Sequence, residues 1–119
     1  MKQDAFRLAC VVADWFRLNL PATALWTAFP AGEHRSAITG ARLKRMGVQR
    51  GWPDYILIYQ GRTFGIELKA PKGKLSEHQK DVADAFTANG CGWTVARTLD
   101  EVEAFLIDQG VPLRGRIAA

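Results

Sequence analysis

Cysteine is scarce in this chain. Only Cys10 and Cys91 occur in 119 residues, far apart and without the CxxC spacing of a redox or zinc site, so both are expected to be small buried hydrophobes. Histidine is equally sparse, and His34 and His78 stand isolated, which reads as surface or hydrogen-bonded residues more readily than as bases. No apolar run approaches the ~20 residues of a membrane span. The leading MKQDAFRLAC carries an acid and lacks the apolar block of a signal peptide, so a cytoplasmic chain with no membrane partner is expected. Repeats, low-complexity tracts and linker-like stretches are missing as well, and residues 1–119 are expected to form one domain.

What is present suits a globular protein: 48% hydrophobic and 24% charged residues. The net charge of +4 is unevenly spread. From Arg35 to Lys80 there are ten Lys/Arg against three Asp/Glu, a local balance of +7, so the rest of the chain is net acidic. A basic middle suggests an anionic partner.

Apolar residues at positions 8, 11, 12, 15, 16 and 18 have helical spacing, and Pro21 ends the run. Residues 24–29, ALWTAF, read as a strand before the turn at Pro30-Ala31-Gly32. Residues 36–46 form a basic helix, expected to turn Ala37, Ala41 and Leu43 to Met46 inward and to stop at Gly47. Two strand-like runs, 55–59 and 63–68, are joined by Gln60-Gly61-Arg62, short enough to force an antiparallel hairpin. Ser76 and Gln79 have capping-box spacing for a helix running to about Ala88, and Thr98 with Glu101 repeats that spacing after a strand at 92–97. The tail from Pro112 is expected to be loose. The order α, β, α, β, β, α, β, α predicts an α/β fold, a mixed sheet with helices on its faces.

The chemistry concentrates in GWPDYILIYQGRTFGIELKAPKGK, residues 51–74. Side chains alternate along a strand, so Glu67 and Lys69 share one face while Ile66 and Leu68 share the other. Folding the hairpin about Gly61 sets position 54 opposite roughly 67 to 68, which lets Asp54 and Glu67 converge. Two like charges ~4 Å apart repel by about 1 kcal/mol in water and about 4 kcal/mol at the effective dielectric of a partly buried site. A cation is needed beside them. Lys69 could neutralise one carboxylate, but a hard divalent ion such as Mg2+, which uses few protein carboxylates and completes its shell with water and phosphate, suits the pair better.

Pro53-Asp54, then twelve residues, then Glu67-Leu68-Lys69 resembles the PD-(D/E)XK nuclease signature. With Gly47, Gly51-Trp52, Gly65-Ile66, Gly73-Lys74-Leu75-Ser76, Gln79 and Gly90 in register, the match resembles the VRR-NUC branch of that superfamily across about residues 30–104. The resemblance implies a restriction-endonuclease-like αβββαβ core and a Mg2+- or Mn2+-dependent endonuclease cutting DNA. It further implies a stand-alone phage or bacterial type, homodimeric and similar to Holliday junction resolvases, with branched DNA as substrate. On the same resemblance Asp54, Glu67 and the Leu68 carbonyl are metal ligands, Lys69 is catalytic, and Gln79 joins the site from the next helix. The family commonly adds an upstream acid, which here is Asp4 or Glu33; Glu33, in a turn beside Arg35, is preferred.

Plainer readings stand beside these. Pro53-Asp54 could be a turn pair, Glu67 and Lys69 an exposed ion pair of little consequence, and Gln79 a capping residue alone. Trp15, Trp26 and Trp93 read as core. Trp52, among the motif's glycines, reads as packing, with a DNA contact as the alternative. Arg35, Lys44, Arg45, Lys72 and Lys74 flank the site and are candidates for phosphate contacts. The rival functions are a non-catalytic DNA-binding protein that keeps the basic face, and a nuclease of the same chemistry acting on flaps, ends or RNA.

Overall fold

The computed structural model describes residues 3–29 and 36–115, with side chains from residue 5 onward. Its elements in chain order are α1 (Gln3–Asn19), β1 (Leu25–Ala28), α2 (Ala37–Arg45), β2 (Tyr55–Tyr59), β3 (Arg62–Leu68), α3 (Glu77–Ala88), β4 (Gly92–Ala96) and α4 (Leu99–Asp108). The four strands make one mixed sheet in the order β1-β2-β3-β4. β1, β2 and β3 pair antiparallel, and β4 joins β3 in parallel after the crossover through α3. This is the mixed α/β, restriction-endonuclease-like architecture expected from the sequence. No helix among the described residues is long and apolar enough to cross a membrane.

Hairpin geometry follows from two residues. Gln60 and Gly61 both adopt positive φ, 49° and 75°, the twist that a two-residue connection requires. Tyr59 then pairs with Arg62, and each step along the strands keeps that register through Tyr55 and Ile66. Because side chains alternate, the register decides which face each residue takes.

One face of the sheet carries the core. Tyr55, Leu57, Tyr59, Phe64, Ile66 and Leu68 pack against Val12, Trp15 and Phe16 of α1, against Leu20 just after it, and against Val102 and Leu106 of α4. Phe16 sits edge-on to both Trp26 and Tyr55, at 5.1 and 5.4 Å between ring centroids. Gly92 is a glycine because its partner Phe64 occupies the space a Cβ would need. The opposite face carries the row Thr27, Ile56, Gly65, Trp93. There α3 lies against the sheet through Phe86, and a Cβ on Gly65 would meet Phe86, Pro53 and Trp93 within about 3 Å.

Three expectations need correction. As far as it is described, to residue 115, the tail is not loose: Val111 is buried, Leu113 packs on the core, and Arg114 donates from its backbone N–H to Asn19 O and from its guanidinium to Arg17 O, both at 2.8 Å. Those carbonyls belong to the last turn of α1, which has no partners within the helix, so a cation there satisfies and complements the negative end of its dipole. Second, α2 buries none of its residues, and Met46 is 78% exposed. The helix is held by its ends, with Ser36 Oγ accepting from Thr39 N–H and Gly47 at φ 100° closing it, rather than by an inward face. Third, Cys10 is exposed on α1 and Cys91 only half-buried.

Arg114→Ala is expected to lower stability by about 1 kcal/mol, through loss of a charged hydrogen bond and a favourable dipole contact. Urea denaturation measures it; an unchanged midpoint would mean the tail contributes nothing to α1.

Candidate active site

Extending the hairpin register by one pair beyond Tyr55 and Ile66 sets Asp54 across from Glu67, on the face opposite the core. Asp54 ends the Pro53 turn that enters β2. Its Oδ2 accepts from the Leu68 N–H at 2.7 Å, which ties the carboxylate to β3. Glu67 is 4% exposed and, among the described residues, is the one charged side chain in the buried class.

Lys69 follows Glu67 on the same face, and its Nζ lies 3.6 Å from Glu67 Oε2. Gln79 reaches the same oxygen, donating from Nε2 at 3.0 Å. Its other end is committed, since Oε1 accepts from the Ser76 N–H at 2.9 Å while Ser76 Oγ accepts from Gln79 N–H. The capping box therefore fixes which way the carboxamide points. Capping and contact with Glu67, read from the sequence as alternatives, are the two ends of one side chain.

Gly51 brings α3 close enough for this. It has φ 87°, and a Cβ there would overlap the His78 carbonyl group and crowd Gln79 N. Any side chain at position 51 pushes the first turn of α3, with Gln79, away from the acids.

Burial sets the charge balance. Desolvation is the largest influence on Glu67, followed by the neighbouring Asp54 charge; together they push its pKa from an ordinary 4.5 up to about 8, against the pull of Lys69. Asp54 is also raised by desolvation, less so because the Leu68 N–H and Lys69 favour its charged form. Of the two, Glu67 is driven further toward its protonated form.

Glu33 and Arg35 lie outside the described residues, as does His34, and of the Asp4 side chain nothing is described. Among the described residues no group of three or more His, Cys, Asp or Glu gathers. The Leu68 side chain points into the core, so any contribution it makes comes from its backbone. Lys44 and Arg45 are exposed in the last turn of α2, and Lys72 and Lys74 are exposed on the loop after Lys69. His78 is exposed at the start of α3.

Arg97 was not singled out by sequence reasoning. It follows β4, beside the end of β3, and donates to Gly73 O at 2.8 Å. Gly73 in turn lies against the Lys69 side chain, so Arg97 braces the loop that backs the lysine. Its signal in the sequence was slight: an arginine at the end of a strand parallel to the one bearing Glu67.

Two facing oxygen donors from adjacent strands, Glu67 buried and Asp54 half-buried, with little soft-ligand chemistry nearby, are the set that hard divalent cations take. The ammonium and the carboxamide add hydrogen-bond donors on one side.

Neither the family models nor the curated proteins compared with this sequence match it. Solved structures do. One described as a VRR_NUC domain protein superposes with a TM-score of 0.63 at 23% identity, covering 92% of this chain and 88% of that one. Another, described as a VRR_NUC domain, gives a TM-score of 0.60 at 19% identity, covering 90% and 97%. The chain shares their fold over nearly its whole length.

The raised Glu67 pKa has a signed consequence for stability. The native state keeps a proton that the unfolded chain releases above about pH 4.5, so the stability this group allows is present below that pH and is lost as pH rises through about 8. Glu67→Gln, measured by urea unfolding in EDTA, is expected to flatten this slope and to exceed the parent at pH 8 by on the order of 1 kcal/mol or more. Equal stability of the two at pH 8 would contradict the assigned burial.

Proposed function

We propose that the chain is a divalent-metal-dependent endonuclease hydrolysing DNA phosphodiester bonds, with Asp54, Glu67 and the Leu68 carbonyl holding Mg2+ or Mn2+. The observation that carries this reading is the convergence of Asp54, Glu67 and Lys69 on one face of the sheet, with the Lys69 Nζ 3.6 Å from Glu67. The fold held in common with VRR_NUC domain structures supports it.

A bound divalent ion supplies charge neutralisation at the phosphate and a more acidic water. Asp54 and Glu67, anchored on adjacent strands, define where the scissile phosphate must come. Lys69 approaches from the same side and places its ammonium to hold the attacking water or the charge that builds on the phosphoryl oxygens. Gln79 keeps Glu67 oriented through its 3.0 Å hydrogen bond. Lys44, Arg45, Lys72 and Lys74, with Arg35, contact flanking phosphates and position DNA without reading its sequence. Branched DNA, such as a four-way junction, is the substrate we propose, cut by a homodimer whose two sites each take one strand.

Labelled duplex, single-stranded, flap and four-way junction DNAs, incubated with Mg2+ or with EDTA, test the reading. Products are expected with the metal, most from branched DNA, and none with EDTA. Lys69→Ala is expected to lower the cleavage rate on the order of 100-fold or more while leaving DNA affinity within a few-fold, as befits a group acting in the transition state. Binding without cleavage under either metal would instead identify a non-catalytic DNA-binding protein.

A further inference from the structure

Among the described residues, the sheet face that bears the acids is only half covered. α3 lies over the β3 and β4 side, whereas the β1 and β2 side presents Leu25, Phe29 and Ile58 at 68%, 43% and 42% exposure. Phe29 sits at the catalytic end of this strip. Its N–H donates to Asp54 O at 2.6 Å, and in the alternation of β1 it follows Thr27, on the face shared by Asp54 and Glu67. Strand spacing puts it about 5 Å from Asp54 and about 10 Å from Glu67.

Trp52, two residues before Asp54, is 39% exposed and stacks on Phe29 with 6.3 Å between centroids and 27° between planes. Its edge rests on Phe86 of α3 at 5.6 Å, which holds the indole in place. Two near-parallel rings, open to solvent and braced from behind, therefore stand beside the acids. Core packing does not account for them, since neither ring is buried.

We propose that Phe29 and Trp52 form a stacking subsite for an unpaired DNA base next to the scissile phosphate. The inference rests on the nuclease reading and deepens it, because it makes an unstacked nucleotide beside the cut a requirement of the site. Aromatic rings take bases of any identity, since every base has a π-face, and the basic surroundings favour the phosphates on either side. A continuous duplex keeps its bases stacked on one another and gains nothing from this subsite. Branch points, flaps and frayed ends supply what it takes.

The test uses the uncleaving Lys69→Ala chain, as parent and with Phe29→Leu or Phe29→Trp added, and two DNAs carrying 2-aminopurine. In one the probe is unpaired at a branch point; in the other it is paired in a continuous duplex. The parent is expected to quench the unpaired probe, and Phe29→Leu to lose the quenching and about 10-fold in affinity for that DNA, with duplex affinity changed less than about two-fold. Phe29→Trp is expected to restore both. An equal loss on both DNAs, or none on either, would overturn the subsite. If Phe29→Leu instead turns a dimer into a monomer in sedimentation with quenching unchanged, a second copy covers the strip and the assignment is wrong. Quenching needs no cleavage: if the unsubstituted chain never cuts while the Lys69→Ala chain still stacks the base, the nuclease reading alone is refuted, and if the unsubstituted chain cuts while the Lys69→Ala chain does not stack it, the subsite alone is.

Discussion

Two carboxyl groups held together out of water are the constraint around which this molecule is arranged. Asp54, at the entry to β2, and Glu67 of β3 face each other, and desolvation raises the pKa of both. Either acid alone in such a place would be costly, and the two together are costlier still. The local structure opposes that cost at several points: the Leu68 N–H on Asp54, the Lys69 ammonium beside Glu67, and the Gln79 carboxamide on the same oxygen. A chain selected for stability alone would put apolar residues there.

The position of the acids depends on backbone devices some distance away. The turn at Gln60 and Gly61 sets the register that faces 54 with 67. Gly51 admits the first turn of α3, and the Ser76 capping box aims Gln79 from it. Arg97 braces the loop behind Lys69 through Gly73. The turn acts from the far end of the hairpin; the others act at strand ends or helix starts, where the parallel pairing of β3 and β4 leaves a rim at the carboxyl ends of these two strands. The proposed metal site lies on that rim.

Much of this was legible in the sequence because it is governed by local rules. Strand alternation and a short connection suffice to bring Asp54 to Glu67, and the S-x-x-Q and T-x-x-E spacings mark the starts of α3 and α4 from side chains within three residues of one another. The resemblance carried by the glycines and the ExK strand led to the fold that the solved structures share. What could not be read depends on distant partners. Nothing near Arg114 indicates that it reaches the end of α1, ninety-seven positions away. The apolar residues of α2 look inward-facing by periodicity, yet no other element covers them among the described residues. Phe29 looked like the last residue of a strand, and only its pairing with Asp54 and its stacking on Trp52 give it a place beside the acids.

The most direct test of the central claim is a crystal of the protein soaked in Mn2+ and measured at a wavelength where manganese scatters anomalously. The account predicts an anomalous peak lying within about 2.0–2.4 Å of both an Asp54 and a Glu67 carboxylate oxygen. A map with no peak there, or with the two carboxylates turned away from each other, would contradict it.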